Sequence, residues 1–324
     1  MIKNVLVTGG AGYIGSHTSK ILAKKGYNVV VYDDLSTGYN DFVNWGPLVK
    51  GDILNYKKLV SAINEFKIDA VIHFAAKAYV SESISNPFFY YKNNVSGTLS
   101  LIEAMIKCKV RYLSFSSSCA VYGNPKQNIL LDENHPTFPI SPYGKSKLFM
   151  EKILSDISKT NDFNFISLRF FNAAGASEDS DIGESHSPET HLIPLAIKSC
   201  FDENYILKIY GDKFDTPDGF AVRDYIHVND IALAHLKTLE LLVKEKKSFF
   251  INLGTGNGIS VKEIINKLIK MGLTPKYEIL SRRDGDPDFL VSDNTKASSI
   301  LGWKSNYNID EILKSAIDWY EKTN

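Results

Sequence analysis

A glycine-rich turn near residue 9 limits what this chain can fold into more than any other feature. Gly9, Gly12 and Gly15 follow an apolar run at residues 5–7, and the string GAGYIG also satisfies the GxGxxG form. Glycines suit such a turn because the backbone bends tightly, a pyrophosphate must approach it closely, and the helix must pack on the strand. The helix beginning near Tyr13 would direct its N–H groups and positive dipole end at the phosphates. The string alone is a weak indicator, because ordinary glycine-rich turns also contain it.

The acids after the second strand make this interpretation specific. That strand ends at Asp33 and Asp34, 18 residues after Gly15. An acid at this position accepts hydrogen bonds from the adenosine ribose hydroxyls and repels a 2′-phosphate. With two acids and no arginine nearby, the sequence predicts a dinucleotide site that favours NAD over NADP.

Apolar runs alternate with helical patterns through the first half of the chain, as in βαβ units that build a parallel sheet. We predict strands near residues 5–7, 29–31, 48–49, 70–72, 112–115 and 165–168, and later helices near 188–203, 229–246, 260–271 and 308–322. The predicted fold class is α/β, a Rossmann-type doubly wound parallel sheet with a smaller mixed α/β substrate domain. The expected domains are residues 1–172, which bind NAD, and 173–324, with 222–247 able to pack back on the sheet.

Composition narrows the function classes. Among 324 residues, Lys plus Arg and Asp plus Glu each number 37, so the net charge is zero and nucleic acid is not an expected partner. No stretch approaches 18 uninterrupted apolar residues, so no membrane span is expected. Three cysteines, at 108, 119 and 200, form no CxxC pair. Such spacing suits a reducing compartment, and we expect a cytoplasmic protein.

A tyrosine and a lysine four residues apart form the candidate catalytic pair. Tyr143 and Lys147 follow Pro142, which suits the first turn of a helix, and the spacing places both on one helical face. Upstream, the fifth strand ends in the serines at 116–118, near the expected nicotinamide position. A tyrosine with a pKa of about 10 needs a neighbouring cation to act as a base near neutrality. We expect Tyr143 to be the general base and acid, Lys147 to lower its pKa and bind ribose, and Ser118 to hydrogen-bond the reacting oxygen.

Together these residues resemble the extended short-chain dehydrogenase/reductases and, within them, the UDP-glucose 4-epimerases, over essentially the whole chain. The matching stretches are 9–18, 73–76, 90–98, 116–123, 141–148, 169–172, 222–228 and 282–286, of which the last four are specific to nucleotide-sugar enzymes. The resemblance implies NAD-dependent interconversion of UDP-galactose and UDP-glucose in galactose metabolism. Bound NAD would oxidise the sugar at carbon 4, the 4-keto sugar would rotate in the pocket, and the hydride would return to the opposite face.

The resemblance also assigns residues to ligands. The cofactor-binding set is Gly9, Gly12, Tyr13, Ile14, Gly15, Asp33, Asp34, Leu35, Ser36, Thr37, Gly38, Asp52, Ile53, Phe74, Ala75, Ala76, Asn93, Ser116, Tyr143, Lys147 and Phe170. The UDP-sugar set is Ser118, Tyr143, Asn172, His191, Leu192, Tyr210, Arg223, Arg283, Asp286 and Leu290. Arginine suits a pyrophosphate because its planar fork binds two oxygens at once. By analogy with the family we also expect a homodimer, formed through 87–107 and 142–160.

Three positions depart from the familiar family pattern. Ala78 stands where many members carry a lysine, with Lys77 beside it, and Leu290 stands where some members place a bulky tyrosine. The leucine leaves UDP-GlcNAc and UDP-GalNAc open as substrates. His191 replaces an asparagine near the sugar. Glu184, His186 and Glu189 lie close to it in sequence, but this spacing puts no three ligands on one face, so we predict no metal.

Other activities fit less well. Nucleotide-sugar 4,6-dehydratases need a further acid and base beside the active serine or threonine, where this chain has Cys119 and Ala120. A 4-epimerase of UDP-arabinose and UDP-xylose stays open, because a pentose would fit the same pocket. A catalytically inactive NAD-sensing regulator is a distant alternative, since such proteins typically lose the Tyr-Lys pair.

Overall fold

Strands and helices alternate along residues 2–125 and 128–324, which the computed structural model describes. The strands are β1 (Asn4–Thr8), β2 (Asn28–Asp33), β3 (Leu48–Lys50), β4 (Ala70–His73), β5 (Tyr112–Ser118), β6 (Leu130–Leu131), β7 (Asn164–Phe170), β8 (Asn172–Ala174), β9 (Leu207–Tyr210), β10 (Val222–His227), β11 (Phe249–Leu253), β12 (Gly258–Ser260), β13 (Tyr277–Leu280) and β14 (Phe289–Ser292). The helices are α1 (Tyr13–Lys24), α2 (Tyr56–Glu65), α3 (Val80–Ser85), α4 (Pro87–Tyr90), α5 (Gly97–Lys107), α6 (Pro142–Thr160), α7 (Leu192–Phe201), α8 (Val228–Glu245), α9 (Val261–Lys270), α10 (Thr295–Ile300) and α11 (Ile309–Thr323). None of these described helices is long and apolar enough to cross a membrane.

Seven strands form the central sheet in the order β11-β7-β5-β4-β1-β2-β3, and every pairing is parallel. All six predicted strands lie in this sheet, so the predicted α/β Rossmann-type class is confirmed. The chain runs from β1 outward to β3 and then returns to β4 on the other side of β1. This reversal opens a crevice at the carboxyl ends of the strands, where ligands of doubly wound sheets bind.

The seventh strand comes from the second half of the chain. Strand β11 pairs with β7 from Phe249 opposite Ile166 to Leu253 opposite Phe170. The sequence does not predict this strand, because a five-residue apolar run has no periodicity of its own and its partner lies about 80 residues earlier.

Helices cover both faces of the sheet because side chains along each strand alternate between them. Val5 and Val7 of β1 pack with Leu22 of α1 and Leu236 of α8 on one face. On the other face, Leu6 belongs to the core formed with α2, α5 and α6. Helix α8 and strand β11 therefore complete the cofactor half of the molecule.

The remaining strands build two smaller sheets. One has the order β12-β10-β14-β6, with β8 beside β10, and the other pairs β13 with β9. A separate core joins α7, α9 and α11 through residues such as Ile193, Ile264 and Ile312. Helix α7 begins four residues later than predicted, because 188–191 belong to a loop.

Candidate active site

The turn between β1 and α1 is a backbone cradle. Gly9 has a φ of 73°, and a Cβ on it would lie 2.6 Å from the backbone nitrogen of Ala75. A Cβ on Gly15 would collide with the carbonyl oxygen of Gly9. Gly12 is the N-cap of α1 and offers no side-chain cap, so N–H groups of the first turn remain for a ligand. Only glycines permit this approach, and the cradle fits a dinucleotide pyrophosphate.

Asp33 connects the cradle to the next loop. Its carboxylate accepts hydrogen bonds from the backbone nitrogens of Ala11 at 3.0 Å and Leu35 at 2.8 Å. Burial raises the pKa of Asp33, and these two bonds counteract the rise. Asp34 is exposed and accepts from the nitrogen of Ser36 at 2.8 Å. Asp33 thus holds the predicted cofactor loop, residues 35–38, against the cradle.

The other predicted cofactor residues also follow strand ends. Asp52 and Ile53 come after β3, and residues 74–76 come after β4. Ile53 is buried, while Asp52 is exposed and accepts from the nitrogen of Leu54 at 2.8 Å. Phe74 packs edge-on against His235, with ring centroids 4.5 Å apart. These positions line the carboxyl edge of the sheet beside the cradle.

Asn94, the buried neighbour of the predicted Asn93, is a further polar residue at the site that was not predicted. The side chain of Asn94 accepts from the nitrogen of Lys77 at 2.8 Å and donates to its carbonyl at 3.0 Å. It also donates to Ser146 of α6 at 3.1 Å, and Asn93 donates to Asn94 at 3.0 Å. Asn94 therefore ties the loop after β4 to the catalytic helix, and only its burial distinguishes it from Asn93.

The catalytic candidates meet where β5 ends and α6 begins. Ser141 caps α6 by accepting from the nitrogen of Gly144 at 3.1 Å. Both Tyr143 and Lys147 are buried on one face of α6, and Lys147 Nζ donates to the carbonyl of Ser116 at 2.7 Å. Ser118, also buried, stands at the last position of β5. The predicted trio is thus assembled at the carboxyl edge of the sheet.

Burial controls the ionisation of this trio. It raises the pKa of Tyr143 to about 12, and the Ser118 hydroxyl opposes the rise only in part. Burial lowers the pKa of Lys147 to about 7, against the opposing effect of Glu151. Both shifts favour neutral forms, so the protein alone keeps Tyr143 a phenol near neutrality. A further cation beside the pair, such as an oxidised nicotinamide ring, would favour the phenolate.

Glu151 extends the catalytic face and was not predicted. It lies one turn beyond Lys147 and receives hydrogen bonds from Arg169 at 2.9 Å and 2.6 Å, with both side chains more than nine-tenths buried. Ser117 and Ser167 also donate to it, at 2.7 Å and 2.9 Å. Positions 143, 147 and 151 repeat every four residues, and this spacing could have identified the third member.

The predicted UDP-sugar residues meet in pairs above the crevice. Arg223 of β10 donates to the carboxylate of Asp286 at 2.5 Å and to the carbonyl of Val222 at 2.9 Å. Arg283 stacks on Tyr210, with the guanidinium carbon 3.6 Å from the ring centroid. Asn172 begins β8 opposite Tyr225 of β10, and Phe170 ends β7. The carboxylate of Asp286 preorganises Arg223 by holding its planar fork.

Leu290 is a buried side chain next to the strand that carries Arg223. It lies opposite Arg223 in the pairing of β10 with β14, and it is 8% exposed. Its cluster includes Cys119, Phe171 and Leu148, which follows Lys147 on α6. Leu290 therefore packs between the strand that carries Arg223 and the helix that carries the catalytic pair.

The loop before α7 holds a compact group of two histidines and two glutamates. His191 is the N-cap residue of α7, and Leu192 begins the helix. The Nδ1 of His191 contacts the carboxylate of Glu184, which also lies 3.2 Å from Nδ1 of His186. Glu189 lies 3.3 Å from the same nitrogen of His186. The sequence argument that this spacing cannot bring three ligands together is wrong, because all four residues converge.

Known proteins match the chain over nearly its full length. Residues 6–316 match the family model described as GDP-mannose 4,6 dehydratase. A UDP-glucose 4-epimerase of Rhizobium leguminosarum bv. trifolii is 45% identical over 323 residues, which cover 99% of this chain and 98% of the relative. The UDP-glucose 4-epimerase of Brucella ovis, solved in complex with NAD, has a TM-score of 0.95 at 45% identity and 98% coverage of both chains. The enzyme of Stenotrophomonas maltophila, solved with NAD and formylated UDP-arabinopyranose, has a TM-score of 0.96 at 36% identity, covering 99% and 98%.

The family model carries a dehydratase description, whereas the similar full-length relatives are named UDP-glucose 4-epimerases. The positions after Ser118 are Cys119 and Ala120, so this chain has no carboxylate directly after the serine. Fold, cradle and catalytic trio agree with the same assignment. The chain therefore belongs to the UDP-glucose 4-epimerase family of the extended short-chain dehydrogenase/reductases.

Proposed function

We propose that this protein interconverts UDP-galactose and UDP-glucose by reversible oxidation at carbon 4 of the sugar. The observation that carries the proposal is the buried trio of Ser118, Tyr143 and Lys147, assembled beside a glycine cradle that fits NAD. NAD, when bound, takes the hydride from carbon 4 and later returns it. Because the reaction has no net redox change, the protein needs no second substrate.

The residues of the trio accept and return the proton of the 4-hydroxyl, which is lost as the hydride leaves carbon 4. Tyr143 accepts the proton of the 4-hydroxyl as the carbonyl forms, and it donates a proton to the same oxygen on the return. Lys147 stabilises the phenolate, and Ser118 hydrogen-bonds the reacting oxygen. The 4-keto sugar rotates in the pocket between the two half-reactions, so the hydride returns to the opposite face of the sugar.

The uridine diphosphate stays anchored while the sugar turns. Arg223 and Arg283 bind the pyrophosphate, and Asp286 both holds Arg223 and accepts a ribose hydroxyl. Asn172, His191 and Leu192 complete the contacts at the start of β8 and α7. Anchoring only the nucleotide leaves the hexose able to rotate.

Substitution of the base tests this function. Purified wild-type protein should convert UDP-galactose to UDP-glucose, whereas Tyr143→Phe should lower kcat by about 10²- to 10⁴-fold, the usual contribution of a general acid–base. Because the phenyl ring keeps its packing, the variant should still bind NAD in a direct titration. Equal turnover in both proteins would refute the role of Tyr143, and no turnover in the wild type would favour a non-catalytic NAD-sensing regulator.

The sugar specificity depends on the cluster that contains Leu290. A leucine there occupies less space than a tyrosine, so we propose that N-acetylated UDP-hexoses also enter. The pentose ligand of the Stenotrophomonas enzyme favours UDP-arabinose as a further substrate. Parallel assays with UDP-galactose, UDP-GlcNAc and UDP-arabinose test both ideas. No turnover of the second or third compound would remove the corresponding activity.

We also propose a cytoplasmic homodimer formed through residues 87–107 and 142–160. Phe88 and Phe149 in these segments are 77% and 45% exposed, and such apolar side chains favour a partner surface. Light scattering on the purified protein should give twice the chain mass, and Phe88→Glu should shift the result toward monomer.

A further inference from the structure

We propose that Glu184, His186, Glu189 and His191 form a binding site for one zinc ion. Each residue offers one ligand atom, and the four atoms lie within 4.8 Å of one another. The Nδ1 of His186 is 3.2 Å and 3.3 Å from the carboxylates of Glu184 and Glu189, and Nδ1 of His191 is 4.0 Å from Glu189. Four ligands around zinc, at bonds of about 2.0–2.2 Å, stand roughly 3.3 Å apart. The two separations around His186 match that spacing, whereas Nδ1 of His191 is in direct contact with Glu184 and would move away from it to admit the ion.

The environment of Nδ1 of His186 also favours a bound cation. The Nδ1 of His186 is itself inaccessible, on a side chain that is 22% exposed, and it makes no well-aligned hydrogen bond among the described residues, although the carboxylates of Glu184 and Glu189 lie within ion-pair distance at 3.2 Å and 3.3 Å. A buried polar atom without a partner costs about 1–3 kcal/mol, so native structures rarely leave one. A cation at the centre of the group would take the lone pair of this nitrogen.

The surroundings hold these ligands in place. Trp319 of α11 donates to the backbone carbonyl of Glu184 at 2.9 Å, and the Glu184 side chain is only 5% exposed. Glu189 accepts from the backbone nitrogens of Thr190 at 2.7 Å and His191 at 2.8 Å. Such outer contacts orient the ligands of protein metal sites. Glu184 and Glu189 are therefore held in position by contacts with residues around them.

The donor set selects the metal. Two imidazoles and two carboxylates suit zinc, whereas magnesium and calcium prefer oxygen ligands alone. Two carboxylates also neutralise a divalent cation. Four protein ligands close a tetrahedral sphere and leave no position for substrate, which is typical of a structural rather than catalytic zinc.

The ion would stabilise the junction between the two ligand pockets. The ring of His186 meets that of Tyr13 edge-on, with centroids 6.1 Å apart, and Tyr13 follows the glycine cradle. At the other end, His191 caps α7 next to Leu192, which we assign to UDP-sugar binding. Coordination through Nδ1 leaves Nε2 as the nitrogen of His191 that can donate to a ligand.

Metal analysis and titration test the site on tag-free full-length protein. After chelator treatment and dialysis, we expect calorimetry to show one zinc ion bound per chain and a higher thermal midpoint in its presence. His186→Ala and Glu189→Gln should weaken zinc binding by more than about 100-fold, beyond the loss of a residue that merely orients a ligand. His135→Ala, which removes a histidine outside the group, should bind as wild type does.

Cobalt provides a readout that does not depend on any variant. Wild-type protein loaded with Co²⁺ should show the intense visible absorption of tetrahedral coordination by nitrogen and oxygen. Absence of saturable zinc binding, octahedral cobalt spectra, or unchanged affinity in both variants would each overturn the proposal. Neither measurement involves epimerase turnover, so the zinc site and the proposed function can fail separately.

Discussion

At the scale of single residues, the catalytic chemistry depends on charges buried side by side. Lys147 is kept weakly basic by burial, and Glu151 one turn further raises its pKa again. Arg169 in turn holds Glu151 through three hydrogen bonds. The ionisation of Lys147 is therefore adjusted by a buried ion pair one turn further along α6, and we assign Glu151 as a positioning residue.

Glu151→Gln should change the pH dependence of turnover. Without the carboxylate, the pKa of Lys147 falls further, so the lysine loses its proton at lower pH. In the proposed mechanism turnover needs protonated Lys147 beside the phenolate, so the alkaline decline of kcat/KM should move to lower pH. A kcat/KM profile from pH 5 to 10 measures this shift.

Stability measurements separate that effect from damage to the fold. The substitution leaves Arg169 without its buried partner, which costs about 3–5 kcal/mol of unfolding free energy. Urea unfolding at each pH identifies the range in which the variant remains folded. If the alkaline decline of kcat/KM stays at the same pH in the folded variant, the positioning role of Glu151 is contradicted. Glu151→Asp should restore part of the wild-type pH profile.

At the scale of elements, β11 connects the sheet to the loops around the active site. Asn252 in β11 accepts from the hydroxyl of Tyr122 at 2.7 Å and donates to the carbonyl of Leu131 at 2.7 Å. Its backbone nitrogen donates to Glu133 at 2.7 Å. Through Tyr122, which also receives a hydrogen bond from Arg169 at 3.0 Å, the strand joins the network behind α6.

Asn252→Ala should therefore destabilise the protein without touching the ligand pockets. Two buried groups lose their partners, and each unsatisfied group costs about 1–3 kcal/mol. Urea unfolding should show a lower midpoint with an unchanged slope, and the KM for UDP-galactose should stay close to that of the wild type. An unfolding free energy equal to that of the wild type would show that water replaces the amide.

An element could be predicted when its signal lies within a short stretch of sequence, and not when it depends on a partner far along the chain. The glycine turn and the strands β1–β5 and β7 carry their signals within a few residues of sequence, and Tyr143 and Lys147 share one helix. Strand β11 and Asn94 depend on partners far along the chain. The group at 184–191 was misjudged because a helical face was the wrong reference for a loop, whose path depends on contacts such as Trp319 with Glu184.

At the scale of the whole molecule, buried histidines make the fold sensitive to acid. His73, His227 and His235 are almost fully buried, and burial lowers the pKa of each to about 3. In the unfolded chain each regains a pKa near 6.5. Above pH 6.5 these histidines are neutral in both states and do not reduce the unfolding free energy. As the pH drops from 6.5 toward 3, the unfolded chain binds protons that the folded chain does not, so the unfolding free energy falls.

His235→Leu should weaken this dependence. Each such histidine makes the unfolding free energy fall by about 1.4 kcal/mol per pH unit below 6.5, because the unfolded chain binds a proton that the folded chain does not. Urea unfolding of both proteins at pH 4.5 to 7.5 should therefore give a slope shallower by about that amount in the variant. Parallel lines for the two proteins would show that His235 already carries its charge when folded.

The position of β11 also affects how the chain is made. The ribosome completes β7 long before residues 249–253 exist, and at about 5–20 residues per second the intervening segment takes roughly 4–16 s to synthesise. During that interval the outer edge of β7 has no neighbour, and an open apolar edge readily pairs with other chains. During this interval six of the seven strands of the central sheet have been synthesised, and the edge of β7 is open to pairing with other chains.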